Sequence, residues 1–310
     1  MAFVDIFSDI WTTLSDLDIL IRIALSCALL IIIVLLSLWQ NVGMETMFLW
    51  SFFRGFIQIV LMGSVLTLIF DIERIWLLYI VLILMCVFAA FTISRRYKYP
   101  KLFLIELLAI TASSISVLTL VMFSGIPAAF EGIIPYPPQG EFVIPMGSMV
   151  ISNTMVITSI VIERSKSDIL KAKGSIEAAL TLGDSSTNSV RTILRDSYKA
   201  GLMPTTSRVA VLGIVTIPGL MSGMIIGGVP PIEAAVYQVV IFLMILSSSF
   251  PASIIANALF TRQFFTKEHQ FDLVFLNQLA KIEEEKNTQI RKNKKRLDKW
   301  KEKLRRKKKD

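Results

Sequence analysis

The sequence has one histidine, His269, and two cysteines, Cys27 and Cys86, in 310 residues. A single histidine excludes a multi-histidine metal or catalytic cluster. Both cysteines lie within apolar runs, which favours buried, reduced thiols over a disulfide or a metal site. Charged residues are also scarce, at 18% of the chain against about 25% in a typical soluble domain.

Three motifs that carry nucleotide or hydrolytic chemistry are missing from the sequence: the G-x-x-x-x-G-K-[ST] phosphate-binding loop, the H-E-x-x-H zinc motif and the G-x-S-x-G nucleophile elbow. An intramembrane enzyme would need paired acid–base groups, and the available pair, Arg54 with Glu106, contains an arginine that stays protonated. We therefore expect no enzyme and no cofactor bound by this chain. If the protein does ATP-driven work, a separate partner subunit uses the ATP.

Apolar residues are what the sequence has in abundance, at 54% of the chain with a mean hydropathy of +0.65. A transmembrane helix needs about 20 mostly apolar residues. The sequence thus predicts an all-α, multi-pass protein of the plasma membrane, with a permease domain at residues 1–265 and about seven transmembrane helices. The predicted spans are 19–39, 45–69, 75–93, 102–124, 142–162, 208–228 and 232–260.

Basic residues predict the orientation of these spans. The loop after the third span, residues 95–101, is strongly basic, and so is the segment after the fifth, whereas residues 125–141 contain no Lys or Arg. More than half of the 32 Lys and Arg residues lie from Arg262 onward. The positive-inside rule places the N-terminus outside and the C-terminus in the cytoplasm, which an odd number of spans also requires.

The C-terminal segment, residues 266–310, alternates acidic and basic residues and ends in a nearly pure basic run. It is predicted to be a separate charged, helical tail in the cytoplasm. A solvated helix that lies against anionic lipid headgroups is its simplest interpretation. We expect the tail to contact membrane lipid and expect no nucleic acid as a partner.

A cytoplasmic helical hairpin is predicted at residues 164–205, between the fifth and sixth spans. It contains Ile176-Glu177-Ala178-Ala179, then three residues, then Gly183. This pattern resembles the EAA-x3-G signature with which bacterial ABC-type permeases dock their separate ATPase subunits, although the I-x-L-P that usually closes the signature is absent. The resemblance implies that coupling to an ATPase subunit involves Glu177, Ala178, Ala179, Gly183, Arg195 and Asp196.

Ionisable and polar residues within spans are costly and therefore candidates for function. Arg54 and Gln58 are one helical turn apart and share a face, and Arg54 could form a buried ion pair with Glu106. Asn153 could bond across helices or line a polar cavity, and methionine is a soft metal ligand, although it more often fills a core. The metal ligands remain unknown, and the predicted substrate pathway consists of Arg54, Gln58, Glu106, Met149, Asn153 and Met155.

Several further motifs over residues 45–265 resemble those of FetB-type ABC transporter permeases, a family associated with metal export and, in plants, with aluminium tolerance. The chain departs from the family pattern G-M-x-x-G-N in the fifth span, where it has Ser148-Met149-x-x-Ser152-Asn153. The motifs are Arg54-x3-Gln58-x4-Gly63, Val143-Ile144-Pro145, Asn153-x-Met155, Leu182-Gly183, Arg195-Asp196-Ser197, Leu202-Met203-Pro204-Thr205, Pro218-Gly219-x-Met221-Ser222-Gly223, Gly227-Gly228-Val229-x-Pro231 and Ala235-x-Tyr237-Gln238.

This resemblance implies a membrane-spanning permease subunit that forms a homodimer, binds an ABC ATPase subunit and exports a metal cation such as iron. Because two family glycines are serines here, the substrate stays open. An organic or nucleotide-sugar substrate is one alternative. The other is a membrane scaffold that presents the basic tail to a cytoplasmic partner.

Overall fold

The computed structural model describes residues 17–40, 45–70, 75–124, 140–285 and 288. Most of the predicted outer loop at 125–141 and nearly all of the predicted tail after Glu285 lie outside the described residues. Those that are described are almost entirely helical and contain two isolated β-bridges but no strand. The prediction of an all-α fold is confirmed for this part of the chain.

Ten α-helices are numbered here in chain order. Helices α6, α7 and α9 are short, and the others have 20 or more residues. A single 3-10 turn, Arg262–Phe264, follows α10, and residues 273–285 form a further helix, called the C-terminal helix below. The helices are α1 Leu17–Trp39, α2 Glu45–Phe70, α3 Ile75–Tyr97, α4 Leu102–Phe123, α5 Gly140–Lys171, α6 Lys173–Thr181, α7 Ser186–Ser189, α8 Arg191–Ala210, α9 Gly219–Ile226 and α10 Pro231–Thr261.

Helices α1 and α2 belong to one compact unit, and the helices from α3 to Glu284 belong to a second. Within the first unit, the buried Ser37 hydroxyl donates to Glu45 Oε1 over 3.1 Å and ties the end of α1 to the start of α2. The two helices cover the predicted first and second spans, and their apolar parts include Cys27–Trp39 and Met47–Gly63. That they cross the membrane stays a prediction.

Helix α10 is the centre of the second unit and packs against α4, α5 and α8. Its buried positions Ser248, Ala252 and Ala256 recur every four residues and so form one stripe. Small side chains let neighbouring helices approach closely, as membrane bundles require. Outward-facing positions of the same helix, such as Leu243 and Val239, are apolar and exposed, which suits contact with lipid.

Four helices of the described residues are long and apolar enough to cross a membrane: Ile75–Tyr97, Leu102–Phe123, Phe142–Lys171 and Pro231–Phe264. They correspond to the predicted third, fourth, fifth and seventh spans. The predicted fifth span ended at residue 162, but α5 continues to Lys171. The extension buries Ser165 and Ile169 on the same face as Ile162, at the spacing with which a helix presents a single side.

The prediction of a continuous sixth span at 208–228 is wrong. Helix α8 ends at Ala210, and α9 has eight residues, which is about 12 Å of helix against about 30 Å of hydrocarbon. The break has two local causes. Gly213 is left-handed with φ +75°, a conformation that glycine adopts without strain. Pro218 lacks an N–H and disfavours helix at the preceding residue.

An aromatic cluster closes one end of the second unit, which we call the basic end because it carries the basic turn between α3 and α4. Tyr99 of that turn packs against Phe260, and Phe264 and Phe275 complete the cluster at centroid distances of 4.9 to 6.1 Å. Phe275 thus joins the C-terminal helix to this cluster, and Leu279 of the same helix is buried as well. Residues up to Glu284 thus belong to the compact unit, while the predicted domain boundary at 265/266 is not itself tested.

Polar contacts support the same end of the bundle. The Tyr99 hydroxyl donates to Glu163 of the α5 extension over 2.5 Å. Burial raises the pKa of the Tyr99 phenol, and the hydrogen bond to Glu163 adds to the rise, so Tyr99 remains the donor. The buried Lys166 ammonium lies 5.1 Å from the centre of the Tyr99 ring and pairs with Glu283 of the C-terminal helix.

Candidate functional site

The Glu-Ala-Ala-x3-Gly segment forms helix α6 and the turn that ends it. Gly183 has φ +93°. Its N–H donates to the Leu180 carbonyl, and the Asp184 N–H donates to the Ala179 carbonyl, each over 3.1 Å. This pair of bonds is the Schellman motif, in which a left-handed residue just after the helix is usually glycine. The spacing from Ala179 to Gly183 therefore has a structural cause, which is the helix stop.

The helix stop leaves an apolar side chain unprotected. Leu182, next to Gly183, is 89% exposed, and Ala178 is exposed one turn earlier. Glu177 is exposed as well and forms an i,i+4 ion pair with Lys173 over 3.7 Å, which is worth only a few tenths of a kcal/mol (~0.3) on a helix surface. Helix α6 and its stop thus present a small, partly apolar surface, which we call the α6 turn (residues 177–183).

Arg195 and Asp196 lie on α8, not on the α6 turn. Both are exposed, and the ion pair of Asp196 is a local one with Lys199 over 3.1 Å. Helix α8 packs against α5 through Gly201, at which a Cβ would lie 2.4 Å from Val161 and 3.2 Å from the Ile157 carbonyl. Since both contacts fall within the predicted fifth span, this part of the predicted cytoplasmic hairpin lies beside a predicted membrane span.

Glu106 is fully buried in α4, with 0% of its surface exposed. Its Oε2 accepts a hydrogen bond from the Thr158 hydroxyl of α5 over 2.8 Å. Its Oε1 has no hydrogen-bond partner among the residues that the structure describes. An unsatisfied buried carboxyl oxygen is costly, which makes Glu106 a candidate for function rather than packing.

A cluster of four hydroxyls, which sequence reasoning missed, lies in the same bundle. Ser248 of α10 is 2.9 Å from Ser114 of α4 and 3.0 Å from Thr154 of α5, and Thr154 is also 3.2 Å from Ser249. All four side chains are buried. The sequence signals only that α5 carries hydroxyls on one face, through Thr154-x3-Thr158, because residues four apart share a helix face; Thr158 itself bonds to Glu106. We call the four residues the hydroxyl cluster.

Met149, Asn153 and Met155 lie on α5 and are half-exposed. The Asn153 amide donates to the Met149 carbonyl of its own helix over 2.8 Å. The expectation that it bonds across helices is therefore not met for this donor in the single chain. Ser152 and Val156 are exposed beside it, so α5 carries polar groups on an outward face.

Arg54 and Gln58 are both exposed on α2. Since α2 is continuous, the two share a face as predicted. Arg54 belongs to the other unit from Glu106, and the proposed ion pair between them stays a prediction. Within the described residues, no three His, Cys, Asp or Glu side chains are grouped to hold a metal ion, and Cys27 and Cys86 are free thiols.

Apolar helices of spanning length, outward-facing leucines and valines and a buried intramembrane carboxyl define a multi-pass α-helical membrane protein. The chain belongs to the Uncharacterised protein family UPF0014, whose model matches residues 20–265. No solved structure matches it.

Three relatives show how widely the similarity extends. The probable iron export permease protein FetB of Escherichia coli K12 is 31% identical over 80% of this chain and 93% of its own length. The protein ALUMINUM SENSITIVE 3 of Arabidopsis thaliana is 27% identical over 86% of this chain and 94% of its own length. The membrane protein YjkA of Bacillus subtilis is 30% identical over 79% of this chain and 97% of its own length. The resemblance to FetB-type permeases is confirmed.

Proposed function

We propose that the protein is the membrane-spanning subunit of an ABC transporter and moves a metal cation such as iron out of the cell. A separate ATPase subunit hydrolyses the ATP. The α6 turn is the observation that carries the proposal, because it combines the Glu-Ala-Ala-x3-Gly pattern with an exposed apolar side chain on a rigid helix stop. The similarity to a protein named as a probable iron export permease supports the substrate.

In the proposed orientation the N-terminus is outside and the basic end faces the cytoplasm. Arg95 and Arg96 in the last turn of α3 then obey the positive-inside rule. The α6 turn follows the extension of α5, about nine residues or ~13 Å beyond the predicted span. An ATPase that pushes on this turn would move α5 and α8 together, because the close contact at Gly201 joins them.

The ATPase partnership is tested by Leu182→Ser. We expect the tagged wild-type protein to recover a P-loop ATPase in mild detergent and the variant to lose most of it, about tenfold, since a buried leucine contributes on the order of 1.5 kcal/mol or more to an interface. Leu273→Ser is the matched control, because Leu273 is also largely exposed but belongs to the C-terminal helix and not to the turn. Equal recovery by the two variants would contradict the role of the α6 turn.

A homodimer is proposed because of the outward face of α5. Polar side chains within membrane segments normally face a bundle interior or a water-filled cavity, yet Ser152 is exposed and Asn153 half-exposed there. A second copy that covers this face would enclose a path between the two protomers. Met149 would border that path. Glu106 of α4 would lie behind that path, in contact with Thr158 of α5.

The export role is tested with Glu106→Gln in cells that lack the native gene. Glutamine keeps the volume and can still accept from Thr158, but it has no charge for a cation. We expect export of iron to fall about tenfold, the equivalent of one charge-assisted contact, while the amount of protein in the membrane is unchanged. If the variant lowers the intracellular iron content to the same level as the wild-type protein does, Glu106 is excluded from the pathway.

A second class of substrate has one observation in its favour. Arg191, Arg195 and Arg208 are exposed on α8 and form no ion pair among the described residues. Such side chains suit an organic anion, such as a nucleotide sugar, better than a cation. Transport of a labelled nucleotide sugar into inverted vesicles, compared with transport of Fe²⁺, distinguishes the two substrates.

A further inference from the structure

The basic end holds a pocket of about 280 Å³ that the proposed transport function does not use. It lies between α7 with the start of α8 on one side and the end of α10 with residues 265–269 on the other. Three basic side chains line it: Arg262, Lys267 and His269. Hydroxyls line it too, among them Ser186, Thr187 and Thr266, and no Asp or Glu of the described residues does.

The basic side chains are available to a ligand. Arg262 and Lys267 form no ion pair within the part of the chain that the structure describes. Glu268 lies in the same turn as Lys267 and His269 but does not line the pocket. A pocket with two cations and no carboxylate favours an anion, and phosphate groups are the anions that Arg and Lys bind most strongly through charge-assisted hydrogen bonds.

The histidine is held in a defined orientation. Its Nδ1 is 2.9 Å from the Ser186 hydroxyl and 3.4 Å from the Ser186 backbone nitrogen. Because a backbone N–H can only donate, Nδ1 accepts, and the neutral ring carries its proton on Nε2. The ring thus links residues 266–270 to the segment that follows the α6 turn, and Nε2–H is its remaining donor.

The aromatic cluster indicates where the pocket lies relative to the bilayer surface. Phe260 packs on Tyr99 of the basic turn at 5.6 Å between ring centres, and Arg262 follows two residues later. The basic turn joins two candidate spans, so this level is close to the bilayer surface. Basic pockets at the cytoplasmic surface of membrane proteins are where anionic lipid headgroups bind.

We propose that this pocket binds a phosphate-bearing anion, which bridges the start of α8 to the segment after α10. The phosphate comes from the headgroup of an anionic phospholipid or from a soluble phosphate compound. The proposal does not depend on what the protein transports, and its test reads binding directly. A failure here would leave the proposed function untouched.

The test uses the purified full-length protein, freed of lipid in a neutral detergent. Inorganic pyrophosphate is the soluble probe, measured by calorimetry, and dioleoylphosphatidylglycerol in mixed micelles is the lipid probe, measured by retention after washing. The pocket variant is Arg262→Gln with Lys267→Gln. The matched control, Arg95→Gln with Lys281→Gln, removes the same charge from exposed positions outside the pocket.

We expect the pocket variant to bind at least one probe about tenfold more weakly and the control to bind within about twofold of wild type, since one charge-assisted bond is worth about tenfold. Loss of the lipid alone assigns a headgroup, and loss of pyrophosphate alone assigns a soluble phosphate. The charge-preserving variant, Arg262→Lys with Lys267→Arg, should retain binding and shows that the loss is not unfolding.

Equal losses in the pocket variant and the control, or no loss in either, would overturn the proposal. The proposal would also be overturned if the pocket variant binds both probes as wild type does but no longer recovers the ATPase subunit, because the pocket would then belong to a protein partner.

Discussion

Helix α5 and the segment from residue 211 to residue 226 are both apolar and both contain proline, yet only α5 is a long helix. Pro145 lies inside α5, which continues without a break for 32 residues. Around Pro218 the chain leaves the helix for eight residues, and α9, which follows, has no buried residue. Ile214 and Ile226 are 88% and 86% exposed. The difference teaches that proline interrupts a helix most effectively where packing does not hold it.

What α5 has and the 211–226 segment lacks within one chain is a buried face: α5 packs against α4, α8 and α10, whereas α9 contacts α10 without burying a residue. Val150, Ile157 and Val161 of α5 are buried. Neighbouring helices can satisfy a carbonyl that a proline leaves free. Lipid or the proposed second copy would cover residues 211–226. Two predictions compare this segment with the bundle around α5, and a third tests the outward face of α5.

The largest effect is expected at the α5–α8 contact. Gly201→Leu would drive a side chain into Val161 and the Ile157 carbonyl, and overpacking of this kind costs about 3 kcal/mol or more. We expect most of the variant to be lost from the membrane or to unfold at a lower temperature. Gly223→Leu on α9 is the matched change, because a Cβ there meets nothing within 4 Å. If both variants unfold like wild type, α8 does not pack on α5 as described.

A smaller effect is expected in the hydroxyl cluster. Thr154→Val keeps the shape of the side chain but removes contacts to Ser248 and Ser249, and we expect a loss of about 1 kcal/mol in the free energy of unfolding. Thr216→Val, an exposed position in the 211–226 segment, should change stability by less than about 0.5 kcal/mol. Unfolding in a mixed-detergent titration measures both, and the reverse ranking would show that the segment, not the cluster, is the structured region.

The smallest effect on stability, but the sharpest on assembly, is expected at the outward face of α5. In a background with Cys27→Ser and Cys86→Ala, the variant Ser152→Cys is treated with an oxidant. The introduced thiols of two copies should then form a disulfide, which appears as a covalent dimer on a non-reducing gel. Leu108→Cys, an exposed position on α4, should stay monomeric. Equal cross-linking at the two positions would mean that random encounters form the bond, and the proposed dimer face would be wrong.

The sequence predicts those parts of the fold whose signal is local. Apolar runs located α3, α4 and α10 within four residues at each end, and they located the start of α5 within two. The extension of α5 to Lys171 was missed because it is amphipathic, with Ser165 and Lys166 buried among apolar residues. The break at 211–218 was missed because apolar composition is the same for a span and for an exposed irregular segment.

The candidate site was predicted unevenly for the same reason. Glu106 stands out in any apolar run, and the structure adds its bond to Thr158, which depends on the register of two helices distant in sequence. Ser114, Ser248 and Thr154 are individually unremarkable residues, and only tertiary packing brings them together. The pocket at Arg262, Lys267 and His269 likewise needs Ser186, which lies 83 residues from His269 in the chain.

Because Phe275 and Leu279 of the C-terminal helix are buried, the part of the tail that can be removed without damage to the bundle begins later than residue 266. Deletion of everything after residue 266 would remove Phe275, which packs on Phe260 and Phe264, and Glu283, the counter-ion of Lys166. Loss of activity in that variant would therefore say nothing about the basic run itself. Truncation after residue 285 keeps the C-terminal helix with Phe275, Leu279 and Glu283. A scaffold whose purpose is to display that run fails at the second cut, whereas a transporter continues to work.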